Sequence, residues 1–182
     1  MTAILPAAIA PGADEYAQPY RDYVARVQAG NVLELLERQG ISTAKLLAQV
    51  SPERAAYRYA PGKWSVTEII GHLSDAERIF AYRALRIARR DETPLPGFDE
   101  NDYTPAGEFD RRSLTDVAKE LAVVRSATLA LFRGLPDEAW TRRGTASNHP
   151  VSVRAMAHII AGHELHHLEV LRTRYGLGAE TA

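Results

Sequence analysis

The chain has 182 residues, 46% of them hydrophobic and 25% charged, with a formal net charge of −1. That composition describes one globular domain over residues 1–182 with a sizeable core, and gives no global pull toward nucleic acid. There is no cysteine, which excludes disulfides, thiolate metal sites and a cysteine nucleophile; any metal must use His, Asp, Glu or water, and a cytoplasmic location is expected.

Residues 1–12 are mildly apolar, broken by proline and without a basic region, so they read as a flexible or docked arm, not a signal peptide. No window approaches membrane-spanning length, so no membrane partner is expected. Tyr20, Tyr23 and Val27 stand at i, i+3 and i+7 and predict a short first helix within 13–29. Asn31 is a good N-cap. Val32, Leu35, Leu36, Thr43, Leu46, Leu47 and Val50 then form a stripe that predicts a helix over 31–50, with Gly40 accepted inside it. Ser51-Pro52 ends that helix, and 51–63 reads as a loop. At the next start, Ser65 and Glu68 form a capping box, with Trp64 and Ile69 as a hydrophobic staple. The helix it opens is predicted over 66–90, with Ile70, Leu73, Ala76, Phe80, Ala84 and Ile87 on its inner face.

Residues 91–112 lack periodicity, and three prolines and two glycines rule out a long helix there. Phe98, Tyr103 and Phe109 argue that the segment packs on something. Ser113 with Asp116 opens a helix over 114–133, with Val117, Leu121, Val124, Thr128 and Leu131 facing inward and Gly134 as a C′ residue. Residues 135–151, with Trp140 and Asn148-His149-Pro150, read as a second loop. Ser152 then caps a last helix over 153–174. Four long amphipathic helices without a strong strand signal predict an all-α four-helix bundle with a long loop between its second and third helices. In such bundles metal sites form from facing helices.

The last helix carries four of the six histidines. At roughly 100° per residue, Val153, Met156, Ala157, Ile160, Leu168 and Leu171 share one face. That phase puts His167 on the apolar half and His163 at its edge, while His158 and His166 point to the polar side. Two imidazoles at i, i+4 on a largely buried face are a metal-chelating geometry. The alternative is two core histidines hydrogen-bonded to their neighbours. A catalytic metal usually takes three protein ligands and keeps a position open. His72, near the core boundary of the second long helix, is the natural third. His149 is the loop rival, and His166 a further possible ligand. Glu164 projects toward the apolar face. It is either a carboxylate paired with an arginine, or an acceptor for a ligand histidine or a general base. Arg83, Arg86, Arg89 and Arg90 form a solvated face or a place for an anionic substrate group.

Tyr59-Ala-Pro-Gly-Lys-Trp-Ser-Val-Thr-Glu-Ile-Ile-Gly-His-Leu-Ser-Asp-Ala-Glu77 and Gly162-His-Glu-Leu-His-His-Leu168 resemble the two signatures of the DinB/YfiT-like metalloproteins. Arg83 to Asp99 fits the YfiT-like branch, and the resemblance runs from about residue 20 onward. It implies a four-helix bundle of that type and a divalent metal on His72, His163 and His167, and it makes a homodimer the expected assembly. His163-Glu-Leu-His-His167 also matches the metalloprotease string, but that motif needs a downstream ligand and no histidine follows His167.

The resemblance further implies a small-molecule enzyme. Some branches transfer low-molecular-weight thiols such as bacillithiol, mycothiol or glutathione to electrophiles, or isomerise with a thiol; others are described as hydrolases. A metal with an open position can lower the pKa of an external thiol, so a protein without cysteine can run thiol chemistry. A hydrolase would activate water instead. A non-enzymatic stress-related metal protein would close the site with four ligands. Zinc, nickel and iron all suit imidazole ligands. Residues 91–112 are expected to cross one end of the bundle and wall the metal pocket.

Overall fold

The computed structural model describes residues 6–178; most of the arm expected over 1–12 is described, and only residues 1–5 of it lie outside. The helices are α1 (Arg21–Arg26), α2 (Val32–Leu47), α3 (Pro52–Ala55), α4 (Val66–Ala88), α5 (Glu100–Ala106), α6 (Leu114–Arg133) and α7 (Val153–Tyr175). Strands β1 (Arg143–Ala146) and β2 (His149–Ser152) form an antiparallel hairpin between α6 and α7. The long helices α2, α4, α6 and α7 make the bundle, and α1 lies along α7. Among the described residues no helix is long and apolar enough to cross a membrane.

The long helices begin where their caps place them. Asn31 Oδ1 accepts from the Leu33 amide at 2.9 Å. Ser65 and Glu68 complete the capping box, at 3.0 Å and 2.7 Å. Ser113 and Ser152 accept from the amides three residues on. Such caps satisfy amides that have no partner inside the helix. The far ends differ from expectation. α2 and α4 stop at Leu47 and Ala88. Gly134 ends α6 at φ −85°, not in the left-handed region. Gly176 does adopt that conformation, at φ 65°, and closes α7.

Three short elements lie in segments expected to be loops. Pro52 starts the single turn of α3, where its missing N–H costs nothing. α5 lies within 91–112, capped by Asp99 and carrying Pro105 near its end, so only a long helix is excluded there. The hairpin is the larger correction. Its turn is Ser147-Asn148, both with positive φ, 50° and 65°, the pattern of a tight primed turn. Four-residue strands are too short to show alternation. β1 is also held from outside: the Leu95 amide donates to Thr145 O at 2.9 Å and the Ser147 amide to Leu95 O at 3.0 Å.

The apolar core falls into two halves. One contains Val32, Leu36, Ala76, Phe80, Phe132 and Met156; the other contains Leu47, Ile69, Ile70, Leu73, Val117 and Leu171. Between them every long helix contributes buried polar side chains: Gln39 and Thr43 from α2, Glu77 from α4, Arg125 and Thr128 from α6, Glu164 from α7. Arg125 ties this layer together. It donates to both Glu77 oxygens at 2.9 and 2.7 Å, to Glu164 at 2.8 Å and to Leu36 O at 2.8 Å. A buried cation is tolerable when paired and hydrogen-bonded in this way.

Candidate metal centre

The histidines of interest lie at the level of this polar layer. His72 is on α4, within a stripe of buried Ile69, Ile70, Leu73 and Ala76. His163 and His167 are one turn apart on α7. Each of the first two follows a glycine at a close approach. A Cβ on Gly71 would lie 2.3 Å from the Phe109 ring, and one on Gly162 would lie 1.9 Å from the Tyr23 carbonyl oxygen. The second contact lets α1 settle on α7 and places Tyr23 over the histidines. Its ring centroid is 5.2 Å from that of His163 and 5.5 Å from that of His166.

The three side chains converge. His72 Nε2 and His167 Nε2 lie 3.0 and 3.1 Å from His163 Nε2, and the candidate ligand atoms all fall within 4.8 Å of one another. His72 and His163 are buried, and His167 is half-buried. Burial holds the His72 imidazole down at about 4, with His166 adding to the effect. Burial first, and then the other histidines, hold His163 and His167 well below the usual range. At neutral pH the group is therefore three neutral imidazoles. A single N–H can bridge two such nitrogens but cannot serve all three, whereas one cation accepts all three lone pairs. With Nε2 as the ligand atom, the ring proton sits on Nδ1; that atom of His167 is buried and has no partner among the described residues. The donor set fits a borderline divalent ion.

The cluster forms the floor of a cavity of about 470 Å³. Tyr20, Tyr23, Trp64, Phe80 and Phe98 line its walls, and the Trp64 ring lies 4.9 Å from that of His72. Phe98 and Glu100, from the connection after α4, complete one side, so that segment walls the histidine cavity as expected. The sequence offers no motif for this aromatic lining, although Tyr20 and Tyr23 were visible as one helical face.

The remaining candidates are sorted by the same geometry. His166 and His149 line the cavity without joining the three-nitrogen convergence. His158 was expected on the polar side but is buried, with its Nδ1 2.9 Å from Arg154 O. The burial order of His163 and His167 is also reversed. Both corrections have one cause: the first half of α7 is enclosed on all sides by α4, α2, α1 and the hairpin, so its polar side does not exist there. Both Glu164 oxygens are committed, one accepting from Thr43 at 2.6 Å and the other from Arg125 at 2.8 Å. This is the arginine-paired alternative, and no histidine contacts the carboxylate among the described hydrogen bonds. Arg86 pairs with Asp91, while Arg83 turns inward and is buried.

Comparison with known proteins agrees with this architecture. No curated protein sequence matches the chain. Among solved structures, it resembles YfiT from Bacillus subtilis, described as a probable metal-dependent hydrolase with an unusual four-helix bundle topology. The TM-score is 0.71 at 18% identity, over 90% of this chain and 95% of that one. It also resembles a mycothiol-dependent maleylpyruvate isomerase, with TM-score 0.68 at 13% identity, over 86% of this chain but 64% of that longer one. At such identities the likeness establishes the fold. The model of the DinB superfamily matches residues 35–171, a span that holds α4 and α6 whole, most of α2 and α7, and all three converging histidines, and the chain belongs to that superfamily.

Proposed function

We propose that this protein is a metal-dependent enzyme that transfers a low-molecular-weight thiol, of the bacillithiol kind, to an electrophilic small molecule. The observation that carries this reading is the convergence of three neutral imidazoles, two buried and one half-buried, on the floor of an aromatic-walled cavity, with no fourth side-chain ligand grouped with them among the described residues. His72, His163 and His167 would hold a divalent ion, zinc or nickel first and iron as a further fit. When bound, such an ion supplies the charge that lowers a thiol's pKa and favours the thiolate. The chain's own residues do the rest. The depressed basicity of the three imidazoles leaves their lone pairs free near neutral pH. Tyr20, Tyr23, Phe80 and Phe98 give aromatic walls that suit an apolar part of an electrophile. The chain lacks cysteine, so the nucleophile must come from outside. A thiol-dependent enzyme of the same fold supports this choice.

The description of YfiT favours a second reading, a metal-dependent hydrolase acting through water. A non-enzymatic stress-related metal protein is the third, and a site closed by four ligands would mark it. The thiol reading carries with it a cytosolic location, where such thiols stay reduced; the family resemblance adds a homodimer, which light scattering would report as twice the chain mass. Metal-loaded protein is to be screened with chlorinated and epoxide electrophiles and several thiols, and separately with esters and amides without thiol. Conjugation that needs both metal and thiol is the expected result. Full-rate hydrolysis without thiol, with no conjugation, hands the site to the hydrolase reading.

A further inference from the structure

The hairpin tip carries an unusual residue. Ser147 sits at φ 50°, a region uncommon for residues other than glycine, asparagine and aspartate. The two-residue primed turn imposes that φ, and the packing around it fixes where the side chain goes. Here the surroundings are specific. The Ser147 amide donates to Leu95 O at 3.0 Å, and Gly97 is close enough that a Cβ there would lie 3.5 Å from Ser147 Oγ. The result is a serine held in the wall of the histidine cavity.

Behind it lies Arg83, 2% exposed. Its Nη2 donates to Pro96 O at 2.6 Å and to Ser147 Oγ at 3.1 Å. Its Nη1 is buried without a partner. Its Cζ lies 5.9 Å from the Phe80 ring centre and 5.8 Å from that of Phe98, both cavity walls. The buried Arg125 has two carboxylates, yet no carboxylate pairs with Arg83 among the described residues. A buried cation of this kind requires a negative partner. Because Ser147 Oγ accepts from the guanidinium, its own proton is free to donate, and no acceptor for it exists among the described residues. A hydroxyl polarised by a cation is a strong donor to an anion.

We propose that Ser147, oriented and polarised by Arg83, forms an anion subsite in the wall of the cavity and binds a carboxylate on the thiol or on the electrophile. Ser147 is the contacting residue, and Arg83 a positioning residue acting through it. Ser147 and the three histidines line one cavity, and the Phe80 ring centre lies 5.9 Å from both the Arg83 Cζ and the His163 ring centre, so the separation between a sulfur at the histidines and a carboxylate at the serine is what a series of increasing chain length reads. The inference deepens the proposed function and rests on the histidine cavity being its substrate site.

The test is calorimetric binding to the full chain, with and without zinc. One arm compares mercaptoalkanoic acids of two to six carbons with their primary amides. The other compares chlorinated alkanoic acids with theirs. The wild type is expected to prefer acid over amide by about ten-fold or more in at least one arm, and the arm showing it identifies the carrier. Ser147→Gly removes the hydroxyl while relieving the positive φ, so it should melt no lower than wild type and yet lose most of that preference. Arg83→Met should lose it too. An acid preference that survives Ser147→Gly intact, or none in the wild type, overturns the subsite. If zinc is not taken up but a Ser147-dependent preference remains, the metal reading fails and the subsite stands.

Discussion

His158, His163 and His167 lie on one helix, yet two of them meet His72 and the third bonds to its own backbone. Helical spacing made the i, i+4 pair and the His72 partner legible. It could not assign burial, because α1 covers α7 at Gly162 and closes a side that periodicity left open. The destination of Glu164 was equally out of reach. Its partner Arg125 sits mid-helix on α6 in no motif, and the pairing is made only by the bundle. Glu15 shows the same limit and yields a prediction. It is buried and accepts from Gly12 N at 2.9 Å, from Ser152 Oγ at 2.7 Å and from Arg154. Burial pushes its carboxyl up, but the bonds from Arg154, Ser152 and Gly12 together outweigh it and bring the pKa down to about 2 from 4.5. The folded-state pKa is depressed, so the stabilisation is present above pH 4.5 and is lost as the pH falls toward 2. Glu15→Gln should destabilise the fold by about 2–3 kcal/mol at pH 7. In denaturant titrations the gap to wild type should shrink to less than half by pH 3; a gap independent of pH would contradict this assignment.

At the scale of elements, capping chemistry carried the most information. The starts of α2, α4, α6 and α7 lie at their predicted N-caps. What escaped were elements stabilised mainly from outside: the hairpin, held through Leu95, and α5, capped by Asp99 within a proline-rich segment. Gly162 was visible only as part of a signature, and its physical purpose is the approach of α1. Gly162→Ala would drive a methyl group into the Tyr23 carbonyl. Overpacking against backbone leaves little room to relax, so the loss should be about 3 kcal/mol or more. α1 should also detach, which hydrogen exchange of the Tyr23 and Val24 amides would report as faster opening. Unchanged protection there would show that α1 is not held through this contact.

For the whole molecule, four apolar stripes correctly implied a bundle, but not that its core is divided by a polar layer on which all four long helices meet. Arg125→Met would leave Glu77 and Glu164 buried without their cation. It should destabilise the fold by about 3–5 kcal/mol, whereas replacing all three with apolar residues should recover much of that loss. Thermal melts of the two variants check the contrast, and equal losses would mean that the pairing is not what matters. The layer also sets the depth at which His72 and His163 are enclosed, so the candidate metal centre is a property of the assembled bundle. The most direct test of that centre is the metal content of untagged protein by elemental analysis, compared across single-histidine variants. Near one divalent transition metal per chain is predicted for wild type and for His158→Ala, with most of it lost in His163→Ala. Wild-type stoichiometry in a correctly folded His163→Ala protein would contradict the account.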